Sequence, residues 1–131
     1  MNFELWVLLA ATLLGLVHLS AASFAFKAQV GNRYTVGPRD EDIRPTGVAG
    51  RLYRAQMNFM ETYPMFGVLA VLVEVVGSSG ALSRWGAALY LAGRILFLPL
   101  YAAGVPWLRT FAWNVATLGL VLVGVQLLLS G

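Results

Sequence analysis

Four apolar stretches divide this chain, and each is long enough to cross a bilayer. They run over about residues 3–26, 48–76, 81–103 and 107–129. A crossing needs roughly 20 apolar residues at about 1.5 Å of rise each. In hydrocarbon a backbone must satisfy its own hydrogen bonds, which leaves helices or closed barrels. Runs of this length predict helices, so the fold class is all-α, an integral membrane four-helix bundle. Composition agrees: 59% of residues are hydrophobic and 11% charged, against about a quarter charged in a soluble domain. The 131 residues form a single domain, 1–131.

There is no cysteine, so neither disulfides nor thiolate metal sites are available. Any thiol chemistry must use a substrate's thiol. The net charge of +3 comes from eight arginines and one lysine against six acids. Most of the cations lie between Lys27 and Arg54, which reports topology rather than nucleic-acid binding. Four spans return the chain to the side where it began. The basic stretch after the first span predicts a cytoplasmic loop, with both termini outside. The first span starts at once and has no basic flank, so it reads as a retained span rather than a cleaved signal. The lack of a targeting signal suits a bacterial inner membrane. Residues 27–47 hold Gly31, Gly37, Pro38, Pro45 and Gly47, which predict a polar connector rather than a long helix. At about 20 residues it is long enough to cap a site.

The second span carries a polar stripe. Arg51, Arg54, Asn58 and Glu61 fall within roughly 80° of one another at 100° per residue. Charge facing lipid is expensive, so the stripe must face protein or trapped water. Pro64 follows and removes one backbone donor. In the third span Tyr90, Arg94, Phe97 and Tyr101 recur on one helical face. Glu61 and Arg94 lie at similar depths, roughly 16 and 14 Å from the cytoplasmic side, and are expected to pair. Arg51, Arg54, Arg94 and Arg109 still outnumber Glu61, and Asn58 and Tyr101 add neutral groups at that level. Surplus guanidiniums beside neutral donors form a receptor for an anion and favour a bound thiolate. The plain alternative for the Glu61–Arg94 pair is helix packing alone. His18 is expected to be an interhelical histidine bonded to a hydroxyl or carbonyl. Glu4 is expected at the interface, and Glu74 has no assigned role.

The block Arg51-Leu-Tyr-Arg-Ala-Gln-Met-Asn58-Phe-Met-Glu61-Thr-Tyr-Pro64 resembles the signature of the MAPEG superfamily, the membrane-associated proteins in eicosanoid and glutathione metabolism. The likeness extends over nearly the whole chain, including Gly93-Arg94, Tyr101 and Arg109. It implies a homotrimer with glutathione as co-substrate, bound between neighbouring subunits. Arg54, Asn58 and Glu61 would hold the tripeptide from the second span, and Arg94 and Tyr101 from the third. Arg109 stands where a family arginine stabilises the thiolate, followed by Thr110, where some members carry a hydroxyl. Arg51 matches a frequent family arginine. Lys27 and Arg33 in the first loop are further candidates. Phe97 and Trp113 replace polar residues common in relatives.

The function implied is an integral membrane glutathione transferase, with peroxidase activity toward lipid hydroperoxides as a variant of the same chemistry. Its partners would be membrane lipids, a lipophilic small-molecule substrate and further copies of the chain. The alternative is a non-catalytic protein that holds a lipid or anionic metabolite in the same pocket. A transporter is disfavoured because the deep charges lie in one half of the membrane, which gives no continuous polar path.

Overall fold

The computed structural model describes residues 1–130. It consists of α1 (Phe3–Val30), a short α2 (Asn32–Val36), α3 (Gly47–Val76), α4 (Ala81–Ala102) and α5 (Pro106–Ser130). The four long helices are each long and apolar enough to cross a membrane, which agrees with the all-α expectation. Helix α1 continues one turn past the apolar run, carrying Lys27 into its last turn. Pro64 lies inside a continuous α3, and Pro99 inside the last turn of α4. The surface is apolar: Trp6, Leu13, Leu16, Val68, Trp85, Phe111 and Leu128 are all exposed. An outer surface of this kind suits lipid or further protein, not water.

The closest seam joins α4 to α5, and small residues make it. A Cβ placed on Gly86 would lie 2.6 Å from the Gly119 carbonyl oxygen, and one on Gly93 would lie 2.6 Å from that of Ala112. Gly86 and Gly93 are two helical turns apart, so both face Ala112, Ala116 and Gly119. Lipid gives helices no hydrophobic reason to associate, and close backbone approach supplies dispersion instead. The main core lies between this pair and α1–α3. Phe66 stacks on Tyr90 with centroids 4.4 Å apart, beside the buried Ala11, Ala70, Ala87 and Ala116. The Tyr90 hydroxyl lies 3.0 Å from Thr62 Oγ1, which gives both buried hydroxyls a partner.

Glu4 lies in the first turn of α1, at the end of the bundle, with its side chain turned inward and fully buried. Its carboxyl accepts hydrogen bonds from Ser79 Oγ at 2.8 and 3.0 Å and from Ser83 Oγ at 2.5 Å. Glu4 is in the first turn of α1, and Ser83 is in the first turn of α4. The acid thus sits where two helices present their positive ends, which favours it further. This bond set clasps α1 to the α3–α4 turn at the end of the bundle that holds both termini. His18 departs from expectation. It is buried, stacks on Phe59 at 4.8 Å, and neither ring nitrogen has a hydrogen-bond partner among the described residues.

Two variants test these seams. Gly93→Val forces a side chain against the α5 backbone and should cost about 3 kcal/mol, the upper range for overpacking. Glu4→Ala should cost about 3 kcal/mol through lost hydrogen bonds to an acid and two orphaned serines. Thermal unfolding in detergent, followed by tryptophan fluorescence, should place both variants well below the parent.

Candidate functional site

At the loop end of the bundle, α3, α4 and α5 each contribute to one cleft of about 190 Å³. Asn58 comes from α3, Phe97 and Tyr101 from α4, and Arg109, Thr110 and Trp113 from α5. The helical period explains the set. Phe97 and Tyr101 are one turn apart, as are Arg109 and Trp113, so each pair shares a face. The Arg109 guanidinium carbon sits 4.3 Å from the centre of the Tyr101 ring. That cation–π contact holds the charge at the cleft rather than letting it follow solvent. The Thr110 hydroxyl donates to the Pro106 carbonyl at 2.8 Å, so it offers the cleft an acceptor.

Arg94 lies behind this wall. It is fully buried and is not part of the cleft lining. Its Nη1 donates to Asn58 Oδ1 at 2.7 Å. Its guanidinium carbon lies 4.3 Å from the Phe97 ring centre and 5.4 Å from that of Phe59. Nε and Nη2 have no hydrogen-bond partner among the described residues. The expected pairing with Glu61 does not form. Among the described residues the one ion pair is Arg44–Asp42 at 3.4 Å, with both side chains exposed. Glu61 is exposed on the outside of α3. Matching depth fixed only height along the bundle; Asn58 has the azimuth that faces α4, and Glu61 is turned about 60° away.

The rest of the stripe spreads along α3. Arg51 Nε donates to the Ala102 carbonyl at 2.7 Å, capping the C-terminal end of α4. This places a cation at the negative end of a helix, where it is favoured. Arg54 is exposed, with its guanidinium beside Gly50; a Cβ there would come within 3.3 Å of Arg54 Nη1. Of the residues singled out from sequence, Asn58, Tyr101, Arg109 and Thr110 therefore share a cleft. Arg94 touches that cleft through Asn58, while Arg51, Arg54 and Glu61 lie beside it on α3.

A larger cavity lies elsewhere, under the first loop. It holds about 710 Å³ between α1, the loop and α3, and includes Phe26, Lys27, Arg39, Tyr53 and Gln56 in its lining. Tyr53 and Gln56 lie on the side of α3 opposite the stripe. The loop is pinned rather than loose. Gln29 bonds the Arg44 carbonyl and the Thr46 amide at 3.1 and 2.9 Å, and Ile43 N–H donates to the Tyr34 hydroxyl at 2.7 Å. Lys27 lines this cavity, whereas Arg33 is exposed and does not.

Four helices long and apolar enough to cross a membrane, with an arginine, a tyrosine and an asparagine converging on one cleft, define an all-helical protein of the membrane-spanning class. The sequence pattern of the MAPEG family matches residues 3–129, and the chain belongs to that family. No individually curated protein matches it.

Because Arg51 caps α4 and stands outside the cleft, Arg51→Ala should lower stability by about 1 kcal/mol, the scale of a helix-end cation. The midpoint of chemical unfolding should fall accordingly.

Proposed function

We propose that this protein is an integral membrane glutathione transferase acting on lipophilic electrophiles. One observation carries the proposal most: Arg109, held on the Tyr101 ring at 4.3 Å, shares a cleft with Asn58 and Thr110. A fixed guanidinium stabilises an anionic sulfur and so favours the reactive thiolate of bound glutathione. The thiolate attacks an electrophile dissolved in the membrane. A carbon–sulfur bond forms and the leaving group departs with its electron pair. With a lipid hydroperoxide, two glutathiones are oxidised to the disulfide while the peroxide is reduced to an alcohol and water. Arg54, Asn58, Glu61 and Tyr101 are the proposed glutathione contacts, and Thr110 assists at the sulfur by turning its hydroxyl hydrogen from the Pro106 carbonyl to the thiolate.

The site is proposed to be completed by a second copy, in a homotrimer. Two physical points support this. A cleft of about 190 Å³ is smaller than the roughly 300–1,000 Å³ of ordinary ligand sites. Glu61 is exposed about ten residues, or ~15 Å, along α3 from Arg51. An acid facing lipid at that level would cost about 2.5–3.5 kcal/mol on insertion scales, and a neighbouring subunit covers it. Native mass spectrometry from detergent should give three chains, and a monomer would remove this part of the proposal.

A second reading is a non-catalytic binding protein using the same cleft. Its support is the wall itself: Phe97 and Trp113 bring rings without hydroxyls, which leaves fewer groups to steer a reaction. The two readings separate on turnover. Adding glutathione should produce thiolate absorbance, and a generic aryl halide should be conjugated. Arg109→Ala should lower conjugation by about 100-fold or more, on the scale of removing one positioned electrostatic group. Binding with no turnover across a panel of electrophiles would select the second reading, and an unchanged Arg109→Ala variant would remove the first.

A further inference from the structure

We infer that Arg94 is a positioning residue that acts through Asn58: it fixes the side-chain amide so that its NH₂ is offered to the ligand cleft as a donor. The inference rests on the proposed glutathione site only for the identity of the ligand.

A guanidinium has donors and no acceptor. The atom of Asn58 that it meets at 2.7 Å must therefore be the amide oxygen, whichever way an amide is otherwise assigned. With Oδ1 held by Arg94, Nδ2 projects from the other side of the planar group. Asn58 lines the cleft and Arg94 does not. No other group among the described residues bonds Nδ2. Asn58 stands with Arg109 and Tyr101 around one small volume, so an amide NH₂ left free by Arg94 adds a donor beside the Arg109 cation. It is suited to an acceptor on an anionic ligand.

The orientation depends on the guanidinium being fixed. Arg94 is fully buried and lies against Phe97 at 4.3 Å and Phe59 at 5.4 Å. Desolvated cation–π contacts of this kind are among the stronger ones. Phe97 therefore has two uses. It lines the cleft with one part of its surface and holds Arg94 behind the cleft with another. Phe59 is backed in turn by His18 at 4.8 Å, so α1 supports the same arrangement without lining the cleft. An arginine that reached the ligand directly would instead contribute its own charge there.

A double-mutant cycle on the full-length protein in nanodiscs separates these two roles, with glutathione as the probe and calorimetry as the readout. Arg94→Met should weaken binding about tenfold in the parent but less than twofold in an Asn58→Ala background. Losses that multiply across the two sites would overturn the inference and give Arg94 a direct contact. If Arg94→Met does not fold, Arg94→Lys serves in the same cycle. It keeps a cation in the core while losing the fork, and the same test of multiplication applies. A second readout does not depend on glutathione. In protein labelled with ¹⁵N-asparagine, the Asn58 side-chain amide signal, identified by its loss in Asn58→Ala, should shift on Arg94→Met or Arg94→Lys. A signal that stays in place would overturn the inference. Failure of the parent to bind glutathione, with the amide signal still shifting, would count against the proposed function and leave the positioning role standing.

Discussion

The bundle is organised around a guanidinium shut off from the protein surface. Arg94 is fully buried, bonded to one neutral amide and flanked by two aromatic rings. A cation in that position is destabilising unless its surroundings answer it. The answer comes from three helices: Asn58 and Phe59 on α3, Phe97 on α4, and His18 of α1 behind Phe59. These contacts set the height and rotation of α3 against α4. That rotation is what brings Asn58 to the cleft and leaves Glu61 on the outside. One desolvated charge thus decides which part of the polar stripe looks inward.

The helices are joined by seams of unlike chemistry. Between α4 and α5 the backbones approach because Gly86, Gly93 and Gly119 carry no side chain. Between α3 and α4 the contacts are aromatic and polar, with Phe66 stacked on Tyr90 and Thr62 bonded to it. The glycine seam holds Tyr101 and Arg109, on opposite sides of the α4–α5 turn, in a constant relation. Asn58 belongs to α3 and joins the site through the polar seam.

Much of this was legible in the sequence. The spans follow from hydropathy and length, since hydrocarbon admits few alternatives to a helix. The shared face of Tyr90, Arg94, Phe97 and Tyr101 follows from the 3.6-residue period, and three of these four are buried with the fourth half-buried. The partnership of Arg94 was not legible. Sequence gives depth along each helix but not the rotation of one helix against another, and a charge of opposite sign was the natural first choice over an amide. The inward turn of Glu4 escapes the sequence for a different reason. Nearness to the chain start says nothing of burial, although four spans put the N-terminus and the turn between the second and third spans at one end, where Ser79 and Ser83 meet the acid. The stacking of His18 on Phe59 had no signal in the sequence, because nothing in the spacing says that a ring will face a ring rather than a hydroxyl.

The clasp at Glu4 has a counterpart of opposite charge. Glu4 joins α1 to the α3–α4 turn at the terminal end, and Arg51 joins α3 to the last carbonyl of α4 at the loop end. Each charge sits at helix ends whose dipole favours its sign. Reversing either one is therefore penalised twice, once by the bonds it makes and once by the helix ends it faces.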